Sequence, residues 1–441
     1  MTSSPSRRLV ADRPAAALAD IERFFDGVSS RRLDNGLDVH VAADSRSPLA
    51  ACAIAYRAGT RDEDPAVGGV AHFLEHMMFK GSERFGAGEI DRLTQAAGGV
   101  NNAYTSHDTT LYYFTFAADR WHLALDIEAD RMAGLTLDPD EVEAERQVIH
   151  EEISMYEGEP WDMLLQSVQA TVFGEHPYGR PVLGTRASLD AITAETLRDF
   201  HGRYYRPSNG AVVVVGDVDI DAAHAAVAER FDSPPPPPPA PTRATAPLEP
   251  IVRRRLERRQ GELARLEVAF RSPPVTDRGH APLRLLCAAL TLGRSSRLHR
   301  RLVDELQLAL WVSADIQETV EPGLLSITAE LVPGQDAERL EREILAAVKA
   351  LGDEPPGAGE LDRVRQLVMA DWLFGHERLE HRAFLLGGMA AFGDLSLPVR
   401  SMRRLLGASR DDLLEIARRT FGPGGAVIGW SWPVEGGGGA E

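Results

Sequence analysis

The stretch His72-Phe73-Leu74-Glu75-His76 sets two histidines four residues apart with a glutamate between them. On a helix, residues four apart project from one face, so both imidazoles can reach one ion. Neutral imidazole is a good zinc ligand, and a carboxylate beside the metal can take a proton from a zinc-bound water. With 13 histidines among 441 residues, such a pattern also arises by chance in roughly a few per cent of chains. Zinc used for hydrolysis needs three protein ligands and an open position. The pattern therefore requires a third ligand elsewhere.

The acidic segment Asp140 to Tyr156 supplies one. Asp138 and Pro139 provide an N-cap and a first-turn proline for a helix. Steps of three and four along it give the stripe Val142, Glu145, Ile149, Glu152, Tyr156. Two glutamates thus interrupt an otherwise apolar face. Burying unpaired carboxylates is costly, so Glu145 and Glu152 should face a cation or a metal. Glu141, Glu143 and Glu151 fit an ordinary solvated face.

These residues together resemble the inverzincins, the zinc metallopeptidase family of pitrilysin, insulin-degrading enzyme and the mitochondrial processing peptidases. The segments His72 to Ser82, Asn101 to Thr110 and Arg146 to Ile153 follow that family's pattern. Gly174 to Gly179 and Ser296 to Leu298 are consistent with it, so the resemblance runs through both halves. It implies zinc as cofactor, with His72, His76 and Glu152 as ligands and Glu75 as general base. Glu145 matches an acid that orients a ligating histidine or water. The resemblance also implies a substrate held extended along an edge strand, here Gly99 to Thr105, with Asn102 and Ala103 nearest the cleaved bond. By itself the Asn-Ala stretch also admits the reading of a turn into a strand. His150 points elsewhere on its helix, and His107, His122 and His176 read as structural.

One departure from the family is informative. Single-chain relatives carry an arginine and a tyrosine in the C-terminal half that bind substrate and stabilise the oxyanion. The matching positions here are Val303 and Leu310, and neither side chain can donate a hydrogen bond. Arg300 and Arg301 lie close in sequence but are aimed differently by the helical turn. The chain thus resembles the zinc-bearing subunit of a two-subunit bacterial member. A homologous partner without the zinc motif would supply the missing pair in a heterodimer, and a homodimer is the alternative.

At 441 residues the chain is too long for one ordinary core, so two domains are expected. An apolar fraction of 44% and a charged fraction of 26% are those of a globular protein. The net charge of −18 argues against nucleic acid or an anionic membrane surface as partner and mildly favours neutral or basic peptides; the resemblance implies a peptide or unfolded polypeptide as substrate. Cys52 and Cys287, one in each half, read as buried free thiols. The N-terminus has no continuous apolar segment and no stretch reaches the length of a membrane span. A cytoplasmic protein is expected, or a periplasmic one if a signal peptide has been removed.

Six consecutive prolines after Ser233 cannot continue a helix or a central strand, and mark a stiff spacer. The expected organisation is an N-terminal segment 1–25, a zinc-binding domain 26–232, a linker 233–248, a second homologous domain 249–434 and a Gly-rich tail 435–441. Leu197 to Pro207 followed by Asn209 to Asp217 mirrors Leu414 to Pro423 followed by Gly425 to Trp430: helix, proline turn, apolar strand. Each half mixes alternating apolar strands with long helices on one face, an α+β class with antiparallel-rich sheets. The metal helix is expected to start at Asp64-Pro65 and end near Gly81. The resemblance adds that the two domains form half of a clamshell. The reading that follows is a zinc endopeptidase. A non-catalytic scaffold of the same fold is the alternative. A structural zinc site would want four ligands, usually with cysteines.

Overall fold

Strand Leu49–Tyr56 is buried from Ala50 onward because it lies inside a sheet with strands on both sides. The computed structural model describes residues 13–232, 248–249, 251, 254–422 and 425–434. The proline run expected as a linker and the tail from Glu435 lie outside the described residues.

The first half runs α1 (Arg13–Asp26), β1 (Val28–Arg32), β2 (Asp38–Ala43), β3 (Leu49–Tyr56), α2 (Val70–Met77), α3 (Glu89–Ala96), β4 (Val100–Thr105) and β5 (Thr110–Ala117). It continues through α4 (His122–Ala133), α5 (Pro139–Gly158), α6 (Pro160–Phe173), α7 (Arg186–Asp190), α8 (Ala194–Tyr204), β6 (Gly210–Gly216) and α9 (Ile220–Arg230). The second half runs β7 (Arg254–Arg259), β8 (Arg265–Ser272), α10 (His280–Thr291), a π-helical turn His299–Glu305, β9 (Ala309–Ile316) and β10 (Gly323–Leu331). It ends with α11 (Ala337–Leu351), α12 (Ala358–Gly375), α13 (Leu379–Ala391), α14 (Leu397–Gly407), α15 (Arg410–Thr420) and β11 (Val427–Trp432).

The sheets have the orders β1-β2-β6-β3-β5-β4 and β7-β11-β8-β10-β9. Removing β1 makes them superimposable in plan. In each, one parallel pair (β2–β6, β7–β11) is followed by antiparallel neighbours ending at a free edge, β4 or β9. The expected duplication is thus present at the level of topology, and the class is α+β.

Helices cover both faces of each sheet, not one. On one face of the first sheet Ile54, Phe114 and Val214 pack with Phe73, Leu74 and Ile149 from its own helices. The other face, Ala51, Ala53, Val213 and Val215, packs against Leu379, Ala383 and Leu386 of α13, a helix from the second half. Reciprocally, Leu164, Val168 and Val172 of α6 pack on Ala269, Leu324 and Val427 of the second sheet. The halves therefore exchange a helix. The strands read as near-continuous apolar runs because both faces are covered.

Helix α1 was not expected as an element. Its Ile21 is 1% exposed and joins the second-half core, beside partly buried Leu18 and Phe25.

Candidate metal centre

Helix α2 is only eight residues long and carries His72, Glu75 and His76. It begins later than expected. Asp64 caps a separate short turn, Pro65–Val67, by accepting from Ala66 N. The α2 N-cap is Gly69 at φ +94°, where a Cβ would meet Leu183 O at 2.5 Å. Such backbone needs glycine, which has no side chain to cap the helix. Buried Glu63 supplies the cap instead, accepting from Gly69 N and Ala71 N, both at 2.9 Å. The helix ends at Met77, before the Gly81 region.

Helix α5 follows the expected cap, with Asp138 accepting from Asp140 N at 2.9 Å. It brings Glu152 Oε2 to 3.7 Å from His72 Nε2 and 3.6 Å from His76 Nε2. One nitrogen from each histidine and one Glu152 oxygen lie within 4.8 Å of one another. Two imidazoles and a carboxylate, converging and open on one side, match the donor set of a zinc site with one exchangeable position. Among the described residues no other group of histidines, cysteines and carboxylates converges this way.

The surrounding charges fit. Burial, then the neighbouring His76, lowers His72 to about 3, which keeps its nitrogens neutral and able to bind a cation. Burial pulls His76 down as well, but its hydrogen bond to Glu145 and the nearby carboxylates more than offset this. Glu145, 5% exposed, sits 2.7 Å from His76 Nδ1 and 2.6 Å from Lys80 Nζ. Burial would raise the Glu145 carboxyl, but these two partners hold it below the usual range. Glu75 is raised by burial, with the Thr105 hydroxyl, which donates to its Oε2, acting against the rise.

The side chains of His72, His76 and Glu152 open onto a cavity of about 930 Å³. Strand β4 contributes Ala103 to Thr105, α5 contributes Tyr156, and the second half contributes Asp315 to Thr319. The free edge of the first sheet therefore borders the site, as expected. Ala103 lines the cavity, whereas exposed Asn102 does not, and its Oδ1 accepts from Ala103 N at 2.9 Å.

Other residues go where the sequence placed them. His150 turns away to Asp190, 2.9 Å distant. His107 lies between Thr60 and Gln169, His176 binds Glu321, and His122 stacks on Trp121. Val303 is half-buried against the second core and Leu310 is exposed, and neither lines the cavity. Arg300 pairs with Glu305, and Arg301 with Glu343 and Glu305. Sequence reasoning missed Lys80, Thr105 and Glu63. Lys80 lies beyond the end of α2 and meets Glu145 only because α5 packs there; Thr105 reaches Glu75 through the placing of β4, and Glu63 caps α2 across a turn.

Residues 39–186 match the family described as insulinase (peptidase family M16), and residues 191–368 match the peptidase M16 inactive domain. An uncharacterized zinc protease of Mycobacterium tuberculosis is 34% identical over 347 residues, 78% of this chain and 77% of that one. The chain belongs to peptidase family M16. A crystallised protease from Helicobacter pylori is 26% identical, with a TM-score of 0.85 over 92% of this chain and 99% of that one. The periplasmic protease PqqL of Escherichia coli, 20% identical, shares the M16 fold, with a TM-score of 0.76 over 93% of this chain and 48% of that one. Among the described residues no helix is long and apolar enough to cross a membrane.

Proposed function

We propose that the chain is the zinc-bearing subunit of an M16 metalloendopeptidase that hydrolyses peptides or unfolded segments, completed by a homologous partner. The observation that carries this is the convergence of His72, His76 and Glu152 within 4.8 Å on the wall of the cavity that Glu75 also lines. These three residues would hold the metal. Bound there, zinc supplies Lewis-acid activation of a carbonyl and of water. Glu75 acts as general base on the attacking water and returns the proton to the leaving amine. Burial raises its carboxyl, which suits a group that must carry a proton between steps. Glu145 fixes the His76 ring through Nδ1, leaving Nε2 directed at the site. The free edge of β4 receives an extended peptide beside Ala103, and Asn102 must release the Ala103 N–H for that strand to pair.

Two observations support a partner. Val303 and Leu310 leave the oxyanion without the expected donors, a loss of several kcal/mol in such enzymes. The chain also matches only 48% of the length of PqqL. The partner would be a homologous chain without His-x-x-Glu-His but with an arginine and a tyrosine seven apart in its second half. Together the two would close a clamshell around the cavity. A non-catalytic scaffold gives no reason for a half-buried Glu75 beside three converging donors.

Metal analysis and peptide hydrolysis, on the chain alone and mixed with such a partner, test the proposal. Bound zinc with hydrolysis appearing on mixing is expected. Full activity of the isolated chain with no gain on mixing rules out the two-subunit form, and failure to take up zinc removes the peptidase reading.

A further inference from the structure

The face of α5 that carries Glu152 does not end there. Tyr156 follows four residues later, one turn along the same face, and lines the cavity with His72, Glu75 and His76. It is 45% exposed, in contrast to the tyrosines of the core. Two of those have spent their hydroxyls, Tyr112 on Tyr205 at 3.0 Å and Tyr178 on Asp108 at 2.7 Å, and Tyr56 is shut inside the core. Among the described residues the Tyr156 hydroxyl has no hydrogen-bond partner. A tyrosine phenol keeps its proton at neutral pH and so is a hydrogen-bond donor there.

The peptide geometry explains what such a donor would meet. An extended segment directs its carbonyls alternately to its two sides. Pairing with the edge of β4 satisfies those on one side only. The others face the remaining walls, and a carbonyl left unpaired in a closed cleft is costly. On the α5 wall next to the metal ligands, Tyr156 offers a neutral donor on a rigid helix. Val303 and Leu310, at the positions that match the family's arginine and tyrosine, carry no donor and lie outside the cavity.

We propose that Tyr156 is a substrate-binding residue of this chain, donating a hydrogen bond from its hydroxyl to a carbonyl of the peptide held between β4 and α5. The inference rests on the peptidase reading above. Tyr156→Phe keeps the ring and removes only the hydroxyl. The test is calorimetric titration of the zinc-loaded chain with a non-cleavable phosphinic peptide, with zinc content and thermal midpoint measured in parallel. Affinity should fall about three- to ten-fold, the worth of one neutral hydrogen bond, while zinc content and midpoint stay at wild-type values. Equal affinities, or no binding by either zinc-loaded protein, overturn this inference alone. A wild-type chain that takes up no zinc overturns the peptidase reading and this inference with it.

Discussion

Glu145 ties the two site helices together, because its partners His76 and Lys80 both come from α2 and the residues just after it. With Nδ1 of His76 held at 2.7 Å, the ring cannot rotate away from the ligand position. Glu145→Gln should therefore weaken zinc binding by about ten- to a hundred-fold with little change in thermal midpoint. Glu143→Gln, on the exposed side of the same helix, is the control. Equal zinc affinities for the two variants would reduce Glu145 to a structural role. Loss of one of three ligands is more severe: His72→Ala, His76→Ala and Glu152→Ala should each lose zinc on dialysis. Glu75→Gln should retain zinc and abolish hydrolysis in the assembled enzyme, and wild-type turnover by that variant would sink the general-base assignment.

At the scale of elements, the exchanged helices α6 and α13 lie tightly on the sheets they cover. At Gly429 of β11 a Cβ would stand 2.4 Å from Val168 Cγ2 and 2.9 Å from Leu164 Cδ1, both on α6. Val168 is β-branched and cannot swing clear. Gly429→Ala should cost about 1–3 kcal/mol by overpacking this contact. Gly388 of α13 has nothing within 4 Å of its would-be Cβ. Gly388→Ala should raise stability by about 0.4–1 kcal/mol, because a helical glycine loses more chain entropy on folding than alanine does. Urea unfolding of both variants checks the pair, and a neutral Gly429→Ala would mean that α6 rides less closely on the sheet.

For the whole molecule, the same exchange buries an acid between the halves. Glu267 of β8 is paired with Gly429, whose Cβ side faces α6, so the carboxyl is enclosed between sheet and helix at 0% exposure. Ser326 Oγ donates to it at 2.5 Å, and its other oxygen has no partner. Burial raises the group to about 8, against about 4.3 in an unfolded chain. Because the folded state holds this proton more tightly, Glu267 favours folding least once the proton is lost. Its contribution is at its best below about pH 4.3 and declines as pH rises to about 8. Glu267→Gln should match wild type near pH 5 and exceed it in thermal midpoint near pH 9. A gap that does not widen with pH would show that the carboxyl is hydrated in solution.

The metal helix, the glutamate of α5 and the duplication were legible in the sequence because each depends on local spacing. Residues four apart share a helix face, a carboxylate within an apolar stripe stands out, and a repeated helix-turn-strand keeps its order. The start of α2 was not legible, since its cap comes from Glu63 and its glycine is required by Leu183, which is distant in the chain. Lys80, Thr105 and the position of Asn102 outside the cavity depend on how α5 and β4 meet α2. Helix α1 was missed because its apolar residues are buried by the second half. The sequence alone thus determined the fold class, the two-fold plan and which residues are candidate donors, since helix faces and repeated segments are properties of periodicity. Only the tertiary structure decided that the halves trade helices and that Thr105 of β4 reaches Glu75, because these contacts join segments whose pairing has no period along the chain.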